Sequence, residues 1–466
     1  FHHSRVAYRT AAEVRALAAD LRSHGLPVSV IHMDLDYMDG HRTFTVDERR
    51  FPDLSGLAQE LEAQGVKLVV IIDTAVKRDP NYNVFRDGSQ AGVFCRLPDG
   101  SLAALPVWPG VSVFPDFTNP AARAWWGQYY ASLLDQGVAG IWHDMNEPAA
   151  FLAWGEPTLP LCTQHALEGR GGDHREAHNL YALQMNRAGF EALRRLRPER
   201  RPFILSRSGW AGVQRYAWTW TGDPASMWAN LRATLPTVLG QGLSGAPYTG
   251  PDIGGFNGKP SNELFVRWFQ LAAFLPFFRV HSAFSTPRHL PYTLDSAQLA
   301  IVRDFLRLRY RLLPYHYTLA WECAQTGQPL VRPLFWPDGS DSELWDVGDE
   351  FLLGDALLIA PVMDDGARAR DVVLPSGDWF AFWDDSILHG PGRVRVEAAL
   401  DRLPILVRAA SLLPMEDGER LMLHLYPPAD GGEGQAPLYS EAGDGDGDSL
   451  VNRFRVLRSG ARLELA

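Results

Sequence analysis

Two aspartates, each at the end of an apolar run rich in tryptophan, are the residues of this 466-residue chain best suited to chemistry. Asp144 lies in the segment GIWHDMNEP and Asp223 lies in WTWTGDP. Hydrolysis of a sugar acetal needs two carboxyl groups, one acting as an anion at the developing oxocarbenium centre and one donating a proton to the leaving oxygen. Neighbouring indole rings can hold a sugar ring and raise the pKa of the proton donor by desolvation. Spacing alone leaves the two roles interchangeable, with Glu147 as a third candidate.

The elements that would bring these acids together repeat along the chain. A helix-like stretch, a glycine, a buried strand and an acid follow one another three times, with strands predicted over residues 28–34, 66–73 and 138–144. Later strand-like runs cover residues 203–206, 216–223, 248–252 and 277–281. Helices are predicted over residues 11–24, 54–64, 121–136, 175–195, 226–239, 262–274 and 297–326. Because the C-terminal strand ends of a closed parallel barrel form one face, the pattern predicts an α/β fold, a (β/α)8 TIM barrel with one pocket.

The pattern also indicates how the chain is divided. We expect the barrel to occupy residues 1–327, with loop insertions at about 74–107 and 147–174 that wall the pocket. Short alternating segments over 328–415 predict a C-terminal antiparallel β-sandwich, and 416–466 reads as the start of a distal β domain. The acidic run GDGDGD at 443–448 lacks the terminal Glu of a calcium loop, which favours a solvated turn.

Composition narrows the range of ligands. The net charge of -11 and the absence of a basic patch argue against nucleic acid, and no apolar run approaches the length of a membrane span. Cys95, Cys162 and Cys323 are too far apart for a disulfide framework or a paired zinc site, so we read them as free thiols in a reducing, cytoplasmic compartment. We expect no cofactor and no metal, a small sugar-like ligand, and leave a homo-oligomer open.

The acidic segments resemble those of glycoside hydrolase family 31, the α-glucosidase and α-xylosidase family, and the resemblance covers nearly the whole chain. WHDMNEP at 142–148 is similar to that family's nucleophile motif W-x-D-M-N-E-P, which implies that Asp144 attacks. SRSGWAGVQRYAWTWTGD at 206–223 is similar to its second motif, which implies that Asp223 is the general acid/base. In members of this family a β-sandwich domain normally precedes the barrel. We therefore expect this chain to be N-terminally truncated and to begin within the first barrel strand.

Further positions correspond to the pocket that holds the glycone in this family. In this pocket, Asp34 and His281 would bind sugar hydroxyls, and Arg207 would keep a neighbouring acid in its ionised form. We expect Asp73 to contact substrate or support the site from behind, and the side chain of His143 to alternate away from Asp144. The substrate-binding residues that the resemblance implies are Asp34, Leu35, Ile71, Trp108, Trp142, Met145, Phe151, Arg207, Trp220, Asp252, Phe256 and His281.

The resemblance implies a bacterial-type, retaining, exo-acting α-glucosidase that releases terminal non-reducing glucose from oligosaccharides through a covalent glycosyl-Asp intermediate. An α-xylosidase, a sulfoquinovosidase or an α-transglucosylase of the same family would carry similar motifs. Because no basic cluster accompanies Asp34 or Trp108 to bind a sulfonate, glucose is the favoured glycone. A hypothesis from a different class is a non-catalytic sugar-binding subunit on the same barrel, which the retention of both acids disfavours.

Overall fold

The computed structural model describes residues 1–6, 8–152 and 155–466 and divides into two compact units. Unit 1 consists of Phe1–Gly222, Arg279–Ser285 and Asp444–Asp446. Unit 2 consists of Asp223–Phe278, Thr286–Gly443 and Gly447–Ala466. No helix among the described residues is both long enough and apolar enough to cross a membrane.

Unit 1 is built on a sheet of seven parallel strands. The strands of the unit are β1 (His2–Arg5), β2 (Val30–Met33), β3 (Lys67–Asp73), β4 (Val76–Lys77), β5 (Ala104–Val107), β6 (Gly110–Val113), β7 (Gly140–Asp144), β8 (Gln164–His165), β9 (Gly172–Asp173), β10 (Ile204–Ser206), β11 (Trp218–Thr219) and β12 (Arg279–Val280). The order in the seven-stranded sheet is β11-β10-β7-β3-β2-β1-β12. Because the first strand in the sequence lies between the second and the last, the sheet has the neighbour relations of a β/α barrel, as predicted.

Helices connect these parallel strands, as crossover connections require. Those of unit 1 are α1 (Ala11–Ser23), α2 (Leu54–Glu62), α3 (Asn83–Ala91), α4 (Pro120–Gln128), α5 (Tyr130–Leu134) and α6 (His174–Leu196). Helix α1 begins where the Thr10 side chain accepts a hydrogen bond from the backbone N–H of Glu13, 3.2 Å away. The helix predicted over 121–136 is instead two helices, α4 and α5, which meet at Tyr129.

Both predicted insertions of unit 1 contain regular structure. In the first, β4, β6 and β5 form a three-stranded antiparallel sheet. Helix α3 lies between β4 and β5 in the sequence. In the second, β8 and β9 pair as a short antiparallel ladder. Ala153 and Trp154 of the second insertion lie outside the described residues. The high Gly and Pro content of these segments obscured their strands, which are short and lie at the edge of small sheets.

Unit 2 combines four helices with antiparallel sheets. The helices are α7 (Trp228–Leu243), α8 (Asn262–Ala272), α9 (Ser296–Arg311) and α10 (Leu313–Thr326). The strands are β13 (Val331–Arg332), β14 (Phe351–Leu353), β15 (Leu357–Ile359), β16 (Ala369–Ala381), β17 (Ile387–Glu397), β18 (Ile405–Arg408), β19 (Ser411–Asp417), β20 (Arg420–Tyr426), β21 (Glu433–Glu441), β22 (Ser449–Ser459) and β23 (Arg462–Leu465). They form sheets of six (β13 to β18), two (β19, β20) and three (β21 to β23) strands.

The six-stranded sheet has its own apolar core. Leu352, Leu358, Val372, Trp379 and Leu406 are all at most 1% exposed. Burying each such side chain stabilises the fold by about 1.5–3 kcal/mol. The antiparallel sheet predicted after the barrel is therefore present and has an apolar core.

Two sequence predictions in this region are wrong. Residues 248–252 do not form a continuous strand, although the carbonyl of Thr249 accepts from Phe277 N at 3.2 Å and Asp252 forms an isolated β-bridge. Gly250 weakens an extended conformation and Pro251 has no N–H to donate to a ladder. The helix predicted over 297–326 is divided into α9 and α10. Pro314, the second residue of α10, has no N–H to continue α9 and fits only the first turn of a new helix.

Candidate active site

Three acids of unit 1 come together because three neighbouring strands end in line. Asp144 ends β7 and Asp73 ends β3, and these two residues are direct partners in the parallel ladder. Asp34 follows the last residue of β2, the next strand of the sheet. Asp34 and Asp73 are 4% and 3% exposed, which is rare for carboxyl groups. The C-terminal edge of the sheet therefore carries a cluster of three carboxyl groups.

Arg207 holds two of the carboxylates of this edge. Its Nε lies 3.1 Å from Asp144 Oδ1. Its Nε and Nη2 also donate to the two oxygens of Glu147 at 2.9 and 2.8 Å, a bidentate pair. Burial alone would raise the pKa of Glu147, but the hydrogen bonds and charge of Arg207 bring this pKa below its ordinary value. Arg207 therefore favours the anionic form of the acids beside it.

The turn after Asp144 is held in an uncommon conformation. Met145 has a φ of 56°, in the left-handed region that costs a residue other than glycine about 1–3 kcal/mol. Its carbonyl accepts a hydrogen bond from Ala149 N at 2.9 Å, and its sulfur lies 3.1 Å from Arg207 Nη2. These contacts stabilise the turn that brings Asp144 and Glu147 to the same guanidinium.

A buried polar network fixes this turn from behind. Asn146 Nδ2 and Asn186 Nδ2 both donate to Ser206 Oγ, at 2.8 and 2.9 Å. Asn186 Oδ1 lies 2.8 Å from His143 Nδ1, and His143 Nε2 lies 2.7 Å from Tyr130 Oη. The His143 side chain therefore faces α5 and α6 and not the side of Asp144, as strand alternation predicted.

The network is packed closely around His143. Burial lowers the pKa of His143 to about 4, so the imidazole is neutral near pH 7. A Cβ on Gly189 of α6 would lie only 2.8 Å from His143 Cε1, so this close approach of helix to strand requires glycine. The ends of β7 and β10 are thus held in one rigid arrangement.

Asp34 and His281 form a pair of buried polar groups at the ends of β2 and β12. Asp34 Oδ1 accepts from Leu35 N at 2.7 Å, and its Oδ2 lies 3.8 Å from His281 Nε2. Ser4 Oγ lies 2.6 Å from His281 Nδ1 and so orients the ring. Burial raises the pKa of Asp34 from 3.8 to about 7, with the nearby charge of Asp144 acting in the same direction. A carboxyl group with this pKa can both accept and donate hydrogen bonds near neutral pH.

The raised pKa of Asp34 predicts a cost in stability that depends on pH. Because the folded-state pKa lies above the ordinary value, the destabilisation is absent below about pH 3.8, grows as the pH rises, and is complete above about pH 7. Replacing Asp34→Asn should increase the free energy of unfolding by up to about 4 kcal/mol at pH 8, and far less at pH 4. Urea unfolding at the two pH values measures the difference.

A matched control for this prediction is Asp36→Asn, since the Asp36 carboxylate pairs with Arg50 at 3.3 Å and its loss should not stabilise the fold. An equal effect of Asp34→Asn at both pH values would contradict the account.

Aromatic rings and a buried guanidinium pack against one another beside Asp34 and His281. The Trp142 ring meets Trp220 and His281 edge to face, with centroids 5.8 and 5.1 Å apart. The Arg279 guanidinium lies over both indoles, 4.8 Å from the Trp142 ring and 5.0 Å from the Trp220 ring. The sequence predictions missed Arg279, although it lies two residues before His281 and so shares its face of the strand.

Of the remaining predicted binding residues of unit 1, two are buried and two are exposed. Leu35 and Ile71 are 4% and 1% exposed and contribute chiefly to packing. Trp108 and Phe151 are 41% and 45% exposed, with rings that meet edge to face at 4.9 Å. Trp108 directly follows the first insertion, and Phe151 belongs to the second. The backbone N–H of Phe151 donates to Pro106 O at 2.8 Å and so joins the two segments. The insertions thus present an apolar surface that a ligand can contact.

Asp73 differs from the other acids of this edge because neither of its oxygens has a hydrogen-bond partner among the described residues. Burial raises its pKa well above the ordinary value, and the charge of Asp144 adds to that effect. Both effects favour the protonated form of Asp73, which can donate a hydrogen bond.

Unit 2 carries Asp223, Asp252 and Phe256, the other predicted site residues. The carbonyl of Pro224, directly after Asp223, accepts from Phe256 N at 2.7 Å. Gly255 has a φ of 86°, and a Cβ there would lie 2.7 Å from Ser226 N, so only glycine permits this contact. The segment after Asp223 and the turn after Asp252 are therefore packed against each other.

The surroundings of Asp223 correct one sequence prediction. The tryptophans before it predicted a desolvated carboxyl, yet Asp223 is exposed, whereas Asp252 is fully buried. Trp220, the nearest of these tryptophans, packs its ring on Trp142 and Arg279 and is only 3% exposed.

Comparisons with known proteins agree with this architecture. The profile described as "Glycosyl hydrolases family 31 TIM-barrel domain" matches residues 1–319, and "Glycosyl hydrolase family 31 C-terminal domain" matches residues 327–413. Alpha-glucosidase 2 of Bacillus thermoamyloliquefaciens is 38% identical over 451 residues, which are 95% of this chain and 57% of that relative.

Solved structures give the same result. A glucosidase II alpha subunit bound to Glc1Man2 superposes with a TM-score of 0.93 at 31% identity, covering 100% of this chain and 52% of that one. The Flavobacterium johnsoniae GH31 dextranase complexed with glucose also gives a TM-score of 0.93, at 27% identity, covering 100% of this chain and 60% of that one. The chain thus spans little more than half the length of these relatives.

Proposed function

The chain belongs to glycosyl hydrolase family 31, and from that premise we propose that it is the catalytic part of a retaining, exo-acting α-glucosidase. Its substrate would be an oligosaccharide or α-glucoside with a terminal non-reducing α-linked glucose. The observation that carries the proposal is the pairing of Arg207 with Asp144 and Glu147 at the acidic strand edge, together with the ring cluster of Trp142, Trp220 and His281 in the same unit. The α-glucosidase activity of the 38% identical relative supports the same choice of reaction.

In the first step we propose that Asp144 attacks C1 of the glucose while Asp223 protonates the glycosidic oxygen. The C1–O bond breaks, the aglycone leaves with the proton, and a glycosyl ester forms on Asp144. The contact with Arg207 supports this role, because it keeps Asp144 an anion until the ester bond neutralises it. The exposure of Asp223 suits an acid that must exchange protons with water in every turnover.

In the second step the Asp223 carboxylate would take a proton from water, whose oxygen attacks C1 and breaks the ester. Two inversions at C1 leave the product with its original α configuration. Asp34 and His281 would bind the hydroxyls of the same glucose ring, assisted by Asp252 and Phe256 of unit 2. Asp34 and His281 are 4% and 2% exposed, and two hydrogen-bonding groups buried to this depth suit the hydroxyls of a terminal residue.

This mechanism predicts a specific role for the guanidinium of Arg207. Arg207→Lys keeps a positive charge but loses the bidentate pair with Glu147 and the contact with Asp144. We expect kcat/KM for an aryl α-glucoside to fall about 10- to 100-fold, the value of one or two hydrogen bonds to charged groups. Steady-state kinetics on the whole protein measures the change.

The matched control is Arg200→Lys, because the Arg200 side chain is 42% exposed and pairs with Glu62 on the surface. A similar loss in both variants, or a change of less than twofold at Arg207, would reject the role.

The proposed function is tested by a panel of aryl α-glucoside, α-xyloside and α-sulfoquinovoside, with an isomalto-oligosaccharide added because the dextranase is a structural relative. We expect α-glucoside hydrolysis to dominate and proton NMR to detect α-glucose first. Preference for the xyloside or sulfoquinovoside would assign one of the other family activities, and transfer to a sugar acceptor would indicate an α-transglucosylase. Sugar binding without turnover would support a non-catalytic subunit.

We further propose a cytoplasmic location. Cys95, Cys162 and Cys323 are free thiols in the structure, and a reducing compartment preserves such thiols. Fractionation of the source cells tests this, and recovery outside the cytoplasm would contradict it.

A further inference from the structure

Outside the pocket, the fold brings a cysteine, an aspartate and a histidine together. His165 Nδ1 lies 3.9 Å from Cys95 Sγ and 3.0 Å from Asp116 Oδ1. One ligand atom from each residue lies within 4.8 Å of the other two, and all three residues are buried. We propose that Cys95, Asp116 and His165 form a binding site for one divalent transition-metal ion, with Zn²⁺ as the ion that fits best.

The donor set favours zinc over magnesium and calcium. Thiolate, imidazole and carboxylate are the three ligand types that Zn²⁺ takes in proteins, whereas Mg²⁺ and Ca²⁺ select oxygen alone. Two anionic ligands and a neutral imidazole balance the charge of the ion, which matters because a net charge is costly to bury. On binding, the Cys95 thiol loses its proton to solvent and its sulfur donates an electron pair, so no oxidation occurs.

The observed spacing is close to that of a tetrahedral zinc site. Bonds of about 2.0 Å to nitrogen and oxygen and 2.3 Å to sulfur place a nitrogen and an oxygen ligand about 3.3 Å apart, and nitrogen and sulfur about 3.6 Å apart. The corresponding distances here are 3.0 and 3.9 Å. These two distances differ by about 0.3 Å from those of a tetrahedral site, and the Cys95 sulfur and an Asp116 oxygen lie within 4.8 Å of each other, so small rotations of the side chains would bring the three ligands to one ion.

A chain of histidines gives His165 the outer partner that a ligating imidazole needs. His165 Nε2 lies 3.0 Å from His174 Nδ1, and His174 Nε2 lies 3.1 Å from His178 Nδ1. Without an ion, His165 must carry its proton on Nδ1 to donate to Asp116. With an ion on Nδ1, that proton lies on Nε2 and is donated to His174, and the direction of every bond in the chain reverses toward His178.

The three proposed ligands come from separate parts of unit 1. Cys95 belongs to the first insertion, Asp116 to the segment between β6 and α4, and His165 to β8 of the second insertion. A bound ion would cross-link the two insertions that present Trp108 and Phe151. Because it binds only the folded arrangement, it should also stabilise that arrangement.

Metal content tests the proposal directly. The whole protein is expressed in zinc-supplemented medium, dialysed against metal-free buffer and analysed by atomic emission. We expect one zinc ion per chain, lost in Cys95→Ser and kept in the control Cys162→Ser, whose cysteine is exposed. A folded wild-type protein without zinc, or zinc content unchanged in Cys95→Ser, would overturn the site.

Cobalt gives a second readout that does not depend on whether a variant folds. Wild-type protein expressed with Co²⁺ should show a thiolate-to-cobalt charge-transfer band in the near ultraviolet. The band should persist in Cys162→Ser, which keeps the proposed ligands. Bound cobalt without this band would exclude Cys95 as a ligand and overturn the proposal.

Discussion

Replacing Asp144→Ala should lower kcat for an aryl α-glucoside by on the order of 10⁴-fold or more, with the protein remaining folded. The reason is that the variant has no carboxylate to form the ester, so the two-step route is closed. Arg207 would keep its bidentate pair with Glu147, and the network of Asn146, Ser206 and Asn186 would keep the strand ends in place. Steady-state kinetics and thermal melting measure the two parts of the prediction.

The stereochemistry of rescue identifies the role of Asp144 as well as its importance. Azide can occupy the space left in Asp144→Ala and attack C1 once from the face opposite the leaving group. A single displacement gives the β-glucosyl azide, the inverted product. Asp135→Ala, at an exposed acid after α5, is the matched control and should retain activity. Near-normal rates in Asp144→Ala, or rescue with retention, would contradict the nucleophile role.

Replacing Asp223→Ala should produce a different kinetic pattern. General acid/base catalysis contributes about 10²- to 10⁴-fold, so turnover of disaccharides should fall by that factor. Aryl glycosides with strongly acidic leaving groups need little protonation, and their first step should be almost unaffected. The second step still lacks its base, so a burst of phenolate followed by a slow steady state is expected in stopped-flow absorbance.

Azide separates this variant from Asp144→Ala. In Asp223→Ala it would attack the glycosyl ester without needing a base, and two displacements give the α-glucosyl azide. Asp304→Ala, at a 71% exposed acid of α9, is a matched control. An equal loss for all leaving groups, with no burst, would assign Asp223 a binding or structural role.

Local sequence patterns predicted the parts of the fold that depend on local physics. The runs that became β2, β3 and β7 are apolar, bounded by glycine and followed by an acid, because buried parallel strands need apolar side chains on both faces. Those acids, Asp34, Asp73 and Asp144, are the ones that meet at the sheet edge. The domain boundaries at 327 and 415 stay predictions.

Features that depend on packing between distant residues could not be read in the same way. Arg279 looked like part of an apolar run and is buried between two indoles. Cys95 was set aside because no second cysteine lies near it in the sequence, yet Asp116 and His165 are its neighbours in space. Asp223 looked desolvated because tryptophans precede it, but its side chain is exposed, and Trp220 packs its ring on Trp142.

The most direct test of the proposed mechanism is to identify the residue that carries the covalent intermediate. A 5-fluoro-α-glucosyl fluoride slows both steps through its ring fluorine and speeds the first through its leaving group, so the ester should accumulate. After proteolysis, tandem mass spectrometry should locate the fluoroglucosyl group on Asp144 within the peptide WHDMNEP. A label on Glu147 or Asp223 would contradict the account, as would turnover to β-glucose with no labelled peptide.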